Sequence, residues 1–470
     1  MKRKNMICLA LFCAMMSASS SVSGAAISYE QTESTASEAE AMSDAESSGD
    51  VESVAEAPEI EIEGDYYYEI NTDHTAMITM YTGNDEVVVI PEELGGYPVT
   101  ALGKNTFHGQ MNMKEVTLPE SVTTIDDYAF NYCTALTEIT IPDSVTSMGA
   151  NPFSHCESLT TINVSIDQPV FATIEDVLFQ KEEKRLVCYP AGKDSDLYEI
   201  PQGIQSIGAY AFNDCKALTE IRIPDSVTEI GDYAFGECNG LKELTIPDTV
   251  TILGENPFAR CESLTIDVSV DHPVFATIDG VLFDKTEKRL ISYPYNKTDD
   301  FYEVPKGILE IGNLAFDNCS ALTRITIPDG VIRIGECAFL NCVSLEKINI
   351  PAGVTDIGEF AFYSCERLTE ITIPDSVISI GRFAFYSCDT LSEITIPEGV
   401  TSIGTGAFAD CDALTGITLP ESLTSIENGA FDSGNGDLVL TVVRNSVARD
   451  YAKANGIEYT YPDLNDWLNG

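Results

Sequence analysis

The stretch IGAYAFNDCKALTEIRIPDSVTE, from Ile207 to Glu229, carries the pattern that decides the fold. Leu218, Ile221 and Ile223 alternate with polar residues, as in a short strand with one buried face. The pattern recurs along the chain, and its phenylalanine returns every 23 residues within each run, at Phe107, Phe130, Phe153, Phe212, Phe235, Phe258, Phe316, Phe339, Phe362, Phe385, Phe408 and Phe431. Because one unit cannot enclose a core, we predict stacked units that bury columns of equivalent side chains.

The residues between the strands predict the turns of each unit. Pro224 has no N–H to donate and ends the strand, and Asp225 and Ser226 suit the turn that follows. Glycine stands four residues before the phenylalanine in ten of the twelve units, as Gly208 does here. This glycine indicates either a tight corner or a positive φ angle.

The unit I-G-x-x-A-F-x-x-C-x-x-L-x-x-I-x-I-P resembles the BspA-like class of leucine-rich repeats, found in secreted and surface proteins of bacteria. The resemblance covers roughly residues 66–461. It implies a leucine-rich-repeat right-handed solenoid that is rich in β-structure, with a parallel sheet on the concave side and short helical turns on the other. It also implies β-hairpin insertions and capped ends. Proteins with this repeat are associated with adhesion and host contact, so the resemblance implies an extracellular protein or glycan ligand.

Two related segments interrupt the repeat. FATIEDVLFQKEEKRLVCYP, residues 171–190, and FATIDGVLFDKTEKRLISYP, residues 275–294, agree at fourteen of twenty positions. Both follow an Asn-Pro-Phe sequence, so we predict a duplicated module of about 105 residues. Short apolar runs flank a charged turn in each copy, which predicts β-hairpin insertions at about residues 166–199 and 269–303.

The two ends of the chain differ from the repeats at residues 104–433. A basic start, a short apolar run and small residues predict a secretory signal peptide at residues 1–26. Residues 27–64 carry twelve acidic residues and no basic one, which predicts a disordered acidic linker. We predict an N-terminal β-hairpin cap at residues 65–103, and a C-terminal cap at 434–470 whose helix begins after Ser446 and stops near Gly456. No apolar stretch is long enough for a transmembrane helix, which predicts a secreted or surface-associated protein.

Ten cysteines occupy one slot of the repeat, three residues after the phenylalanine. They are Cys133, Cys156, Cys215, Cys238, Cys261, Cys319, Cys342, Cys365, Cys388 and Cys411. Stacked slots lie about 4.8 Å apart with parallel Cβ directions, whereas disulfide Cβ atoms approach to about 3.8 Å. We therefore predict a column of buried thiols rather than disulfides; a metal-binding column is the alternative.

Composition and motifs favour no catalytic or nucleic-acid function. With 75 acidic and 26 basic residues the formal charge is −49, which argues against nucleic acid as a partner. His74, His108, His155 and His272 lie outside the common catalytic motifs. We predict a protein that is not an enzyme and that needs no cofactor and no catalytic metal.

The polar positions of the strands are the candidate binding residues. A glutamate precedes the first buried isoleucine of the strand in six units, at Glu115, Glu138, Glu220, Glu243, Glu370 and Glu393. Threonine is the usual residue between the two isoleucines, so we expect a glutamate column beside a threonine column on the solvent side. Arg222, Arg324 and Lys347 interrupt these columns. The surface either binds a basic protein or Ca²⁺, or is a solvated polar sheet.

The turns of the two insertions are the second candidate. Their basic residues are Lys181, Lys184, Arg185, Lys285, Lys288 and Arg289. These residues either contact an anionic surface or glycan, or are solvated turn residues. For the whole chain we predict a secreted or surface-associated protein that binds a protein or glycan; the alternative is a structural spacer without a dedicated ligand.

Overall fold

The computed structural model describes residues 60–432 and 438–462. In these residues the chain is a β-solenoid, as predicted. The signal peptide predicted at residues 1–26 and most of the acidic linker lie outside the described residues. The turns between the strands, predicted to contain short helical segments, contain none, and the one helix of the described residues is α1 (Val447–Asn455), near the C-terminus.

The first section of the solenoid runs from residue 60 to residue 164. It opens with three antiparallel strands, and the third of them pairs in parallel with β6 and so starts the stack. Its strands are β1 (Ile60–Glu63), β2 (Tyr66–Ile70), β3 (Ala76–Tyr81), β4 (Val87–Val89), β5 (Glu93–Leu94), β6 (Tyr97–Leu102), β7 (Glu115–Thr117), β8 (Thr124–Ile125), β9 (Glu138–Ile141), β10 (Ser147–Met148) and β11 (Thr161–Val164).

The second section begins with the first insertion. Its strands are β12 (Phe171–Ile174), β13 (Val177–Gln180), β14 (Arg185–Cys188), β15 (Leu197–Glu199), β16 (Ser206–Ile207), β17 (Glu220–Arg222), β18 (Glu229–Ile230), β19 (Glu243–Ile246), β20 (Ile252–Leu253) and β21 (Thr265–Val268). β12, β13 and β14 are antiparallel, and β14 then pairs in parallel with β16. The insertion thus starts a new sheet.

The third section repeats this arrangement after the second insertion. Its strands are β22 (Phe275–Ile278), β23 (Val281–Asp284), β24 (Arg289–Ser292), β25 (Phe301–Glu303), β26 (Glu310–Ile311), β27 (Arg324–Thr326), β28 (Arg333–Ile334), β29 (Lys347–Asn349), β30 (Asp356–Ile357), β31 (Glu370–Thr372), β32 (Ser379–Ile380), β33 (Glu393–Thr395), β34 (Ser402–Ile403), β35 (Gly416–Thr418), β36 (Ser425–Ile426), β37 (Val439–Thr441) and β38 (Glu458–Thr460). The sheet that begins at β22 has nine strands and is the longest of the described residues.

Each regular coil contributes two strands to two separate parallel ladders. The longer strand is the predicted one, with its central isoleucine buried and its flanking residues exposed, as in β17. The second is a two-residue strand just before the conserved glycine, such as β18, and it pairs with its counterparts 23 residues away. We call the exposed side of the longer strands the strand face and the row of two-residue strands the second ladder. The sequence did not predict the second ladder as strands.

Stacked phenylalanines form the centre of the solenoid. Phe339 is fully buried, and its ring centroid lies 5.1 Å from that of Phe316 and 5.2 Å from that of Phe362. The glycine that recurs four residues before the phenylalanine does not form a left-handed turn. A Cβ at Gly231 would lie 2.6 Å from the backbone nitrogen of Ala209 in the preceding coil. Close approach of neighbouring coils, rather than positive φ, therefore requires glycine at this slot.

Each insertion adds one complete coil to the stack. In the first insertion Tyr189 takes the place of the phenylalanine, with its ring 5.4 Å from that of Phe212. Tyr293 stacks on Phe316 in the second insertion at 5.2 Å. Tyr81 lies 5.2 Å from Phe107 at the N-terminal end of the solenoid, so the cap and both insertions share one design. All three are antiparallel strands that start a parallel stack.

Side chains join the sections where the insertions interrupt the ladders. Asn256 of the second Asn-Pro-Phe donates from Nδ2 to the carbonyl of Leu314, at 2.8 Å and across 58 residues. Arg260 donates from Nε to the carboxylate of Asp317 at 2.8 Å. At the first junction, Asn151 bonds the carbonyl of Tyr210 in the same way, at 2.8 Å. The asparagine of each Asn-Pro-Phe thus bridges two coils over the insertion.

The ends of the described chain differ slightly from the prediction. Ser446 caps α1 by accepting from the N–H of Arg449, and Gly456 ends the helix with a φ of 69°. This confirms the predicted helix. Residues 60–63, which we placed at the end of the acidic linker, form β1 instead. Alternating isoleucine and glutamate suit an edge strand, and β1 pairs with β2.

Candidate binding surface

The six predicted glutamates all lie on the strand face. Each is the exposed first residue of its strand, in β7, β9, β17, β19, β31 and β33. Glu220 and Glu243 are direct partners in the parallel register. The insertions divide the face into separate sheets, and β31 and β33 also belong to different sheets. The glutamates therefore form short groups rather than one uninterrupted column.

Part of the charge on this face is neutralised within the protein. Arg222 donates from Nε to Glu220 at 2.8 Å and from a terminal nitrogen to Glu199. Lys347 lies 2.9 Å from a carboxylate oxygen of Glu370. Since exposed ion pairs stabilise by only about 0–1 kcal/mol, these contacts organise the face more than they stabilise the fold.

Arg324 differs from the other two basic residues of the strand face. Its guanidinium lies over the ring of Phe301, 4.7 Å from the ring centroid. It makes no ion pair within residues 60–432 and 438–462. Arg324 and Lys347 border a cleft of about 310 Å³ that reaches to Thr372. The strand face thus carries one exposed cation without an internal counter-ion, beside a cleft.

Several basic side chains of the two insertion turns are held by contacts within the protein. Lys181 donates from Nζ to the carbonyl of Gln168, and Lys285 donates to the carbonyl of His272. Arg185 and Arg289 are half-buried, and each pairs with a glutamate of its own turn, Glu183 at 3.3 Å and Glu287 at 3.2 Å. Lys184 and Lys288 remain exposed, with no ion pair in the described part of the chain. We call residues 181–185 and 285–289 the hairpin tips.

The described cysteines are all buried and free, which confirms the predicted thiol column. Most thiols of the column donate to the carbonyl of the phenylalanine in the preceding coil. Cys238, for example, donates to the carbonyl of Phe212 at 2.9 Å. Burial raises the pKa of Cys319 well above its usual value, so the thiol stays protonated. No group of His, Cys, Asp and Glu in the described residues could hold a metal ion.

Two histidines of the duplicated modules, His272 and His155, have structural roles. His272 contacts the carbonyl of Pro247 through Nε2, at 3.1 Å, and accepts at Nδ1 from the N–H of Phe275, at 3.0 Å. Gln168 takes this place in the first module, where it donates from Nε2 to the carbonyl of Val145 and accepts at Oε1 from the N–H of Phe171. Burial lowers the pKa of His155 to about 4, so its imidazole is neutral near pH 7.

Two features of the strand face escaped the sequence analysis. Phe301 lies at the first position of β25, where its ring supports Arg324. Asn349 takes the place of threonine in β29 and bonds to the coil before it, with Nδ2 at 2.8 Å from the carbonyl of Ile327. The break in the threonine column at Asn349 was the available signal.

Comparisons with known proteins agree with this architecture. The family model of the BspA type leucine rich repeat region matches in six copies over residues 100–186, 193–299 and 303–436. A leucine-rich cell surface protein from Faecalibacterium prausnitzii is 33% identical over 77% of this chain and 95% of its own, with a TM-score of 0.49. The pneumococcal vaccine antigen PcpA is 22% identical over 87% of this chain and 99% of its own, with a TM-score of 0.50.

A leucine-rich repeat protein from Bacteroides ovatus is 26% identical over 86% of this chain and 100% of its own, with a TM-score of 0.40. Among curated proteins, none matches this chain. The described residues contain no helix that is long and apolar enough to cross a bilayer. The family model covers well over half of the sequence with the repeat seen in the fold. The chain therefore belongs to the family of BspA-type leucine-rich repeat proteins.

Proposed function

We propose that this protein is secreted or surface-associated and binds an extracellular protein or glycan through its strand face. The family membership and the likeness to a leucine-rich cell surface protein support the location. The predicted signal peptide is consistent with it. The described histidines favour binding over catalysis, because His272 is held by a contact with the backbone and His155 is buried and neutral.

One observation carries the proposal: the strand face presents exposed polar side chains on a rigid parallel ladder. The central residues of β27 and β29 are buried, which fixes their flanking residues outward at a repeated spacing. A surface held this way loses little conformational entropy when it binds a ligand. The shallow, open cleft beside Arg324 adds a candidate contact point to this face.

A screen of the purified full chain against extracellular proteins and glycans tests the proposal. The strand-face variant carries Thr245→Trp and Thr372→Trp, which place bulk on exposed positions of β19 and β31. The control variant carries Thr228→Trp and Ser425→Trp, which place the same bulk on exposed positions at the second ladder. Both variants keep the charge of the chain.

We expect saturable binding that the strand-face variant loses and the control variant keeps. Loss in the control variant alone would move the site to the second ladder and contradict the proposal. Absence of any ligand across a broad panel would favour the spacer. Equal circular dichroism spectra of the three proteins verify that the tryptophans leave the solenoid intact.

A further inference from the structure

The cleft on the strand face lies where the parallel register between two coils stops short. In the parallel register of β27 and β29, Arg324 pairs with Lys347 and Ile325 pairs with Ile348, and the register ends there. Further along, the N–H of Ile396 donates to the carbonyl of Thr418 in the next coil, at 3.1 Å.

Between β27 and β29, the side chain of Asn349 makes the contact in place of that backbone bond. The N–H of Ile327 donates to Oδ1 of Asn349 at 3.1 Å, and Nδ2 of Asn349 donates back to the carbonyl of Ile327 at 2.8 Å. The asparagine side chain thus lies between the coils as a wedge. Threonine, which occupies this slot in β31 and β33, is too short to make both bonds.

The wedge lies in the wall of the cleft. The volume of the cleft is about 310 Å³. Its polar lining residues are Arg324, Thr326, Lys347, Asn349, Glu370 and Thr372. Small-molecule sites typically have volumes of about 300–1,000 Å³, so the cleft lies at the lower end of this range, and it is shallow and open to solvent. Hydroxyl and amide groups that donate and accept line it, as sugar hydroxyls require.

The charges at the cleft favour an anion. Arg324 and Lys347 are direct partners in the ladder, and like charges in this arrangement repel. Glu370 neutralises Lys347, whereas Arg324 is oriented by the ring of Phe301 and has no ion pair in the described residues. The planar fork of a guanidinium binds a carboxylate through two parallel hydrogen bonds. Arg324 is thus positioned for a carboxylate that the protein itself does not supply.

The surroundings favour a sugar with sparse charge over a peptide or a polyanion. β27 and β29 lie inside a four-stranded sheet, so an extended peptide cannot pair with the edge of either strand. The chain has a formal charge of −49, which repels a long polyanion. Screening over about 8 Å at physiological salt leaves the short-range attraction of Arg324 for a single carboxylate.

We propose that the cleft binds the carboxylate of an acidic saccharide, with Arg324 as the residue that recognises the charge and Asn349 as the residue that fixes the two coils at the cleft wall. This inference rests on the proposed function, because it assigns a ligand class to the same strand face. Asn349 acts by bonding the backbone of Ile327 and is therefore a positioning residue.

Isothermal titration calorimetry of the full chain with trigalacturonic acid tests this inference. We expect saturable binding by the wild type, and none to the same trisaccharide with its carboxyl groups reduced to alcohols. Arg324→Gln should weaken binding at least tenfold. Asn349→Thr should weaken it with an unchanged circular dichroism spectrum. Arg333→Gln is the matched control, since Arg333 is an exposed arginine of the second ladder that pairs with Glu310, and it should leave binding unchanged.

Three results would overturn the inference: no binding by the wild type, equal affinity for the reduced trisaccharide, or wild-type affinity in Arg324→Gln. Tighter binding of hexaglutamate than of the trisaccharide would also overturn it, in favour of an acidic protein partner. If the saccharide fails while a ligand from the screen is lost in the strand-face tryptophan variant, only this inference falls. If the screen finds no strand-face ligand, the proposed function falls as well.

Discussion

Replacing Arg260 with glutamine should destabilise the junction between the second and third sections. The side chain of Asp317 is 1% exposed and that of Arg260 is 16% exposed, so the pair lies largely out of water. Removing one partner of a buried ion pair leaves an uncompensated charge and costs about 3–5 kcal/mol. We expect a loss near the lower end, about 3 kcal/mol, because Asn318 also donates to Asp317, at 2.5 Å.

The pH dependence gives this prediction a specific signature. Burial raises the pKa of Asp317, and Arg260 acts in the opposite direction. A carboxyl whose folded pKa exceeds its unfolded pKa contributes stability below the unfolded pKa and loses it as pH rises through the folded pKa. Without Arg260 the folded pKa of Asp317 should rise further. The defect of Arg260→Gln should therefore be larger at pH 8 than at pH 5.

Urea unfolding followed by circular dichroism measures the effect. Urea m-values are about 1–3 kcal/mol/M for small proteins and increase with size, so a loss of about 3 kcal/mol corresponds to a midpoint shift of about 1 M or less. The double variant Arg260→Gln with Asp317→Asn is the matched control, because it removes the buried charge. It should recover most of the stability and lose the additional pH dependence. A shift that Asp317→Asn does not relieve would refute the reasoning.

Three further predictions concern the framework. Phe339→Ala should lower the free energy of unfolding by about 3–5 kcal/mol, because Phe339 is fully buried between two stacked rings; urea unfolding would measure this, and a loss below 1 kcal/mol would contradict it. Gly231→Ala should cost about 1–3 kcal/mol, because a Cβ there would lie 2.6 Å from the backbone nitrogen of Ala209; a neutral effect on thermal unfolding would show that the coils can separate without cost. Thiol titration of the denatured, unreduced protein should find the twelve cysteines of residues 133–411 free, whereas five or more disulfides would contradict the stacked thiol column.

The repeat period made most of the fold predictable, because each slot has one physical demand that recurs. Buried phenylalanine, isoleucine and cysteine columns follow from stacking equivalent positions. The second ladder was missed because its strands, such as β18, have only two residues and show no alternation. The sequence also did not decide why glycine recurs at this slot, since a single coil does not reveal how closely a neighbouring coil approaches Gly231.

The strand face was predictable in position but not in charge balance. The sequence placed Glu220 and Arg222 on the face, yet only the structure shows that they pair. It placed Lys181 among the basic residues of a tip, yet only the structure shows that its ammonium also donates to the carbonyl of Gln168. Pairing depends on which coils become neighbours and on side-chain reach, which the spacing of residues along one chain does not encode.

Hydrogen–deuterium exchange of the complex with the strongest ligand of the screen tests the central claim most directly. The claim is that ligands bind on the strand face, and that the insertions are framework whose tyrosines and apolar strands complete the core. We predict slower exchange on binding at residues 324–326, 347–349 and 370–372, with unchanged exchange at the hairpin tips. Slower exchange at residues 181–185 and 285–289 with none on the strand face would contradict the account.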